Sequence, residues 1–201
     1  DEVISSGLQW ISPTEIAGYR ISSAWARKQH VYFVAQFSHP ITQIVLDSLG
    51  DLSQNDGMVV NEHLIASMNF DMESDNVLLV KVGISAVDIE GARKNLSAEI
   101  PEWDFEKIRE AATTAWIKQL NKVEVEGSKE VREIYYTALY HNSLAPNIFQ
   151  DVDKRYRGVD GEVHQAENHL QHTVFSLWDT YRATHPWFTL FEREKTVDLI
   201  E

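Results

Sequence analysis

The hydrophobic pattern of this chain changes period once, near Ser85, and that change constrains the fold more than any other feature. Up to about Gly83 the apolar residues follow strand patterns; after Ser85 they recur at helical spacing. VYFVAQF (Val31–Phe37) is β-branched and aromatic, apolar on both alternating faces, which predicts a well-buried strand. ITQIVL (Ile41–Leu46), HLIASMNFDM (His63–Met72) and VLLVKVGIS (Val77–Ser85) predict three more, the last two around a polar ESDN turn. The turn-rich DSLGDLSQNDG carries Asn55-Asp56-Gly57, a sequence suited to a hairpin. Strands at this spacing predict an antiparallel sandwich or part of one, with few strands for a closed sandwich.

Past Ser85, Ile89, Ala92, Leu96 and Ile100 share a helix face until Pro101 stops it. Asp104 can cap a second helix, with the stripe Phe105, Ile108, Ala112, Trp116 and Leu120. Ser128 can cap a third. There Val131, Ile134, Tyr135, Ala138 and Leu139 make one apolar face, and Tyr136 and Tyr140 stack on another. A helix apolar nearly all round is expected to be buried on most sides, and His141 on it to be a satisfied core histidine. Asn147–His172 reads as a long polar loop, of the kind that is functional or disordered. A last helix is expected from Glu194 or Lys195. The β half reads as incomplete at its start and the helical half at its end. The sequence therefore reads as an α+β multidomain segment of a larger protein: residues 1–84 the end of a β-domain, 85–126 a helical linker, 127–201 the first part of an α-helical domain.

Charge narrows the partners. Lys and Arg number 18 against 31 Asp and Glu, a net charge of −13. That sign opposes nucleic acid, which needs a basic footprint, and anionic membrane surfaces. It suits neutral ligands and divalent cations. The absence of cysteine excludes disulfides, thiolate metal sites and cysteine nucleophiles. No apolar run is long enough to span a bilayer, and the abrupt DEVISSGLQW start is compatible with a leader removed upstream.

Few motifs carry chemistry. DVDKRYRGVDGE places Asp151, Asp153 and Glu162 as a calcium-binding EF-hand loop would, but Arg155 and Tyr156 occupy its turn positions, so a solvated acidic loop is expected. His164, His169 and His172 lack the spacing of a helical zinc pair and read as surface or hydrogen-bonding histidines. Asn95-Leu96-Ser97 matches a glycosylation acceptor, but it sits within a predicted helix. GxSxG, Walker A and GxGxxG are absent. What remains is SLWDTYRATHPW (Ser176–Trp187). It reads either as an aromatic core segment, with Asp179 or Thr180 capping a helix, or as one wall of a sugar site. In the second reading the Trp178 indole stacks on a pyranose, the Asp179 carboxylate accepts from paired hydroxyls, and the Arg182 guanidinium donates to them.

Several long stretches resemble glycoside hydrolase family 92, the calcium-dependent exo-α-mannosidases. They are GYRISSAWARKQHVYFVAQFS, GISAVDIEGARKNLSAEIPEWDFEKI, IYYTALYHNSLAPN, the DVDKRYRG loop and FSLWDTYRATHPW, in order along the chain. The resemblance implies Gly where Lys154 stands, in a loop expected to tolerate it, and Leu where Trp187 stands. It implies an N-terminal β-sandwich joined by helices to the first helices of an (α/α)6 barrel. It also implies an inverting exo-α-mannosidase, of α-1,2 type, acting on terminal mannose of N-glycans or mannans and exported to the periplasm or cell surface. Asp179, Trp178 and Arg182 would grip the terminal mannose. The catalytic acid and base and the Ca²⁺ ligands would lie beyond this chain, so that the chain alone is expected to be inactive. The partners implied are a mannose-containing glycan and the remainder of the enzyme, with self-association through uncovered apolar helix faces. The alternatives are a non-catalytic carbohydrate-binding or structural module, and a trehalase-like (α/α)6 glycosidase, against which the helical linker and the YTALYH and WDTYR pairing argue.

Overall fold

The computed structural model describes residues 2–48, 53–55, 57–72 and 77–200. The chain packs into two units: Asp1–Trp103 with Gln150–Gln165, and Asp104–Phe149 with Ala166–Glu201.

The first unit is built on a six-stranded antiparallel sheet. Strands β1 (Glu2–Ser12), β2 (Glu15–Ser23), β3 (Gln29–Phe37), β4 (Ile41–Ser48), β5 (Ser53–Asn55), β6 (Met58–Asn61), β7 (Leu64–Phe70) and β8 (Val80–Ser85) follow in chain order. The large sheet runs β5-β6-β1-β2-β3-β8, and β4 pairs with β7 in a separate two-stranded sheet. Asn55 pairs with Met58 across the position of the expected hairpin turn, and Gly57 has φ 75°; Asp56 and residues 49–52 lie outside the described residues. The ESDN turn (residues 73–76) also lies outside them, and β7 and β8 on its two sides belong to different sheets.

Alternation in β3 explains the layering. Ala35 and Phe37, with Leu8, Ile16 and Ile41, are buried on the face that packs against Ile44, Leu46, Leu64, Ala66, Met68 and Phe70 of the small sheet. The Phe37 and Phe70 rings sit 4.9 Å apart. Val34, the residue before Ala35, points the other way and packs with Ala17 against Ala92 and Leu96 of α1 (Ile89–Glu99). One β3 strand thus serves a sheet-on-sheet core and a helix-on-sheet core. Asp88 caps α1, its Oδ1 accepting from Gly91 N at 2.6 Å. At Gly83 a Cβ would overlap the Ala92 carbonyl oxygen and stand 2.6 Å from Leu96 Cβ, so the helix rests on that glycine.

Strands β1 and β2 are not among those read from the sequence. Their glycines explain why. A Cβ on Gly18 would overlap the Gly7 carbonyl oxygen and lie 2.8 Å from the Phe33 ring. These are close-approach glycines within strands, which look like turn residues in sequence.

In the second unit, α2 (Phe105–Leu120) is capped by Asp104 and α3 (Lys129–Ser143) by Ser128, as their sequences indicate. Trp116 and Tyr140 bring α2 and α3 together at 4.7 Å between rings. The expectation that α3 is buried on most sides fails: Leu139 is its only buried residue, and Ile134 is 64% exposed. His141 is exposed too, 5.7 Å from the Tyr140 ring, and is not a core histidine. An apolar face shows where a helix can be covered; among the described residues this one is covered at Leu139 and left open at Val131 and Ile134.

Candidate functional site

WDTYR begins in a single helical turn, α4 (Leu177–Thr180). Its N-cap position is Ser176, which makes no side-chain cap bond, so neither Asp179 nor Thr180 is the cap. The turn is held by Asp179 N and Thr180 N donating to the Ser176 carbonyl, and by Thr180 Oγ1 donating to the same oxygen at 2.8 Å. Trp178 is 86% exposed. Asp179 is exposed, and among the described residues its carboxylate makes no hydrogen bond or ion pair. Arg182 is aimed by its neighbour: Nε donates to Tyr181 Oη at 2.7 Å, and the guanidinium lies 5.4 Å from the Tyr181 ring centre. No hydrogen bond links Trp178, Asp179 and Arg182 to one another; Trp178 and Asp179 lie in α4, and Arg182 follows its C-cap Tyr181.

The rest of the stretch behaves oppositely. In α5 (Thr184–Phe191) Phe188 is 1% exposed. His185 packs between Phe175 at 4.8 Å and Phe188 at 6.1 Å, and Trp187 stacks on Phe191 at 4.1 Å. Thr184 Oγ1 donates to Asn142 Oδ1 of α3 at 2.6 Å. SLWDTYRATHPW therefore divides: its end is core, and its beginning presents an indole, a free carboxylate and an oriented guanidinium to solvent.

A second polar cluster lies where the sequence reads as a solvated acidic loop, and there the structure corrects the reading. Residues 150–165 form a hairpin of β9 (Arg155–Arg157) and β10 (Val163–Gln165), in the first unit. Asp151 is 3% exposed. Its Oδ2 accepts from Ser85 Oγ at 2.7 Å and its Oδ1 from Asn95 Nδ2 at 2.8 Å, while Asn95 Oδ1 accepts from Val152 N. Arg155 donates to both Asp88 oxygens and to Asp153, which also binds Lys94 at 2.9 Å. Arg157 donates to the Ala86 and Val87 carbonyls. The loop is not free because every one of these charges has a partner on β8, on α1 or in the turn between them. The Arg155 hydrogen bond holds the Asp88 carboxyl below the usual carboxylate range. Burial acts to raise Asp153, but hydrogen bonds from Lys94 and Arg155 together outweigh it and hold that carboxyl low as well. The same cluster excludes Asn95 as a glycosylation acceptor, since its amide is buried and fully engaged.

Residues 1–85 match the glycosyl hydrolase family 92 N-terminal domain, and residues 91–201 match the family 92 catalytic domain. The chain belongs to glycoside hydrolase family 92.

Solved family 92 structures agree in shape. An α-mannosidase of the family from Bacteroides thetaiotaomicron is 35% identical, with a TM-score of 0.88 over 97% of this chain. An inverting family 92 mannosidase of the same bacterium is 28% identical, with a TM-score of 0.78 over 92% of the chain. An uncharacterized secreted glycosidase of Arthroderma benhamiae is 30% identical over 107 residues, 51% of this chain and 13% of its own. The chain spans 27% and 26% of the two solved mannosidases.

Family 92 membership sharpens three observations. Lys154, where the family resemblance implies glycine, has φ 68°, in the left-handed region that a side chain disfavours. The departure therefore carries backbone strain that its loop position did not suggest. For the calcium that the resemblance implies, the described residues bring together no group of three or more Asp, Glu or His side chains, and Asp151 and Asp153 are committed to protein partners. The residues present do not fit that ion, and no chemical step here passes through it. Finally, Trp25, in the turn between β2 and β3, is fully exposed beside Arg27 and Lys28. In the sequence, SSAWARKQ looks like an ordinary polar turn. An indole wholly in water adds nothing to a core and is suited to stacking on a sugar face.

Proposed function

We propose that the full-length protein is an inverting exo-α-mannosidase, of α-1,2 type, that removes terminal mannose from N-glycans or mannans, and that Trp178, Asp179 and Arg182 form one wall of the subsite for that sugar. The observation that carries the reading is the exposed Asp179, whose carboxylate has no partner among the described residues, beside the exposed Trp178. The family 92 α-mannosidase at 35% identity, also solved with mannoimidazole, supports the sugar assignment.

Each residue contributes a distinct interaction. The indole covers the apolar C–H face of a pyranose. The carboxylate accepts two adjacent hydroxyl protons, bonds that are stronger than neutral ones. It also places negative charge near the ring as oxocarbenium character develops, which stabilises the transition state more than the ground state. Arg182, pre-aimed by Tyr181, donates to a ring substituent with little ordering cost. Inversion needs a separate acid and base far enough apart to admit water. Those groups, and the calcium ligands, belong on this reading to the remainder of the enzyme chain, which is also the partner of the apolar faces of α2 and α3. Export to the periplasm or cell surface fits a glycan substrate, and the secreted fungal relative supports it.

The test is hydrolysis of p-nitrophenyl α-mannoside and α-1,2-mannobiose by the full-length protein. Asp179→Ala should lower kcat/KM by about two orders of magnitude, the loss of a charge-assisted contact strengthened in the transition state. Unchanged kinetics would remove Asp179 from the site. The 201-residue chain by itself should show no turnover.

A further inference from the structure

The hairpin at 150–165 is the tip of an excursion whose base is closed separately. Phe149 N donates to the Gln171 carbonyl at 2.7 Å and Thr173 N to the Asn147 carbonyl at 2.8 Å, with Ile148 opposite His172. Asn147 N also donates to Thr173 Oγ1 at 2.9 Å. This short ladder ends three residues before Ser176, where the turn bearing Trp178 and Asp179 begins. Closing a free loop of about twenty residues with so few bonds is entropically unfavourable. Here the loop is not free. Asp151 is buried, with Gln150 alone between it and Phe149, and the way back from Gln165 is the short run Ala166–Leu170. Anchoring the tip turns one long closure into two short ones.

We propose that Asp151 is a positioning residue for the sugar-binding turn: its buried carboxylate fixes the excursion, and the excursion holds the ladder that presents residues 176–182. The proposal rests on the assignment of that turn to the mannose subsite. Its geometry is demanding at one point. A Cβ on Gly91 would overlap Asp151 Oδ2 and stand 2.7 Å from Ser85 Oγ, so the seat exists only because position 91 has no side chain. Gly91 lies within α1 and is not at positive φ, so alanine there favours the helix while expelling the carboxylate.

Gly91→Ala and Asp151→Ala are therefore two routes to one effect, from opposite sides of the contact. The experiment is hydrogen exchange by mass spectrometry on the 201-residue chain, with β1–β2 as internal reference and Arg155→Lys as a milder variant that keeps the fold if the others lose it. Both alanine variants should speed exchange about tenfold in segments 147–149 and 171–182, the effect of one unsatisfied buried carboxylate contact, while β1–β2 is unchanged. Arg155→Lys should give a smaller increase in the same segments. If the hairpin 150–165 exchanges faster and 171–182 does not, in any of the three, the proposal is overturned. A sugar-binding measurement on Trp178→Ala separates the two assignments: loss of binding there with unchanged exchange at 171–182 in the Asp151 and Gly91 variants sinks the positioning role alone.

Discussion

Asp88 and Arg155 form a two-point ion pair on a carboxylate that is already capping a helix. Oδ2 accepts from Arg155 Nη1 at 2.6 Å, and Oδ1 accepts both Arg155 Nη2 at 3.3 Å and Gly91 N at 2.6 Å. Protonating Asp88 would therefore weaken the hairpin and the start of α1 together.

The pH dependence follows from its direction. Asp88 and Asp153 are both held below their ordinary values, so their contribution is fully present above the unfolded carboxylate pKa of about 4 and is lost as pH falls through the folded values. Thermal unfolding midpoints should ease downward as pH falls from 7 to 5, where burial opposes protonation of His30 and His172 in the folded protein, and should drop further below about pH 4. Arg155→Met should flatten that drop, because both carboxyls lose the common partner that depresses them. An equally steep drop in the variant would assign the acid lability elsewhere.

Lys154→Gly should stabilise the protein. The left-handed backbone at φ 68° disfavours lysine by about 1–2 kcal/mol, part of which returns as greater freedom of glycine in the unfolded chain. A net gain of about 0.5–1 kcal/mol is expected, a rise of roughly 1–4 °C in Tm for a chain of this size. Urea and thermal melts of the pair check it; a loss of stability would mean that the lysine side chain contributes a contact.

Gly83→Ala should be among the more damaging single-methyl changes. The added Cβ meets the α1 backbone and Leu96 Cβ, neither of which can rotate away. Lifting α1 from Ala17 and Val34 should destabilise by about 2–3 kcal/mol, with loss of cooperativity in chemical denaturation. A change under 0.5 kcal/mol would show that the helix seat is softer than drawn.

Across SLWDTYRATHPW and the Phe188 that follows it, stability and function should separate cleanly. Trp178→Ala and Asp179→Ala should leave stability within about 0.5 kcal/mol, since neither side chain is buried or bonded. Phe188→Ala, ten residues on from Trp178, should lose about 3–5 kcal/mol through a cavity under Lys195 and beside His185. Equal losses from Trp178 and Phe188 would contradict the division of this segment into wall and core.

Periodicity carried most of the architecture. Both faces of β3, the caps Asp104 and Ser128, and the stop at Pro101 follow from local pattern, because each rests on chemistry within a few residues. At Asp88 the pattern shows the helix and not the cap that starts it. Long-range polar pairing left no such trace. Asp151 finds Ser85 and Asn95 across 66 and 56 residues, and without that knowledge DVDKRYRG looks hydrated. Burial of α3 was misread for the converse reason: apolar composition records a capacity to be covered, not the presence of a cover. The WDTYR turn was found through residue chemistry and family resemblance, while the exposure that separates Trp178 from Phe188 is a tertiary property.

The return of residues 150–165 to the first unit has a consequence for recombination. A crossover or gene fusion placed between the two family 92 domains, near residues 85–91, parts Ser85 and Asp88 from Asp151 and Arg155. Chimaeras that exchange one domain without the other therefore inherit a mismatched polar seat unless the hairpin travels with the sheet.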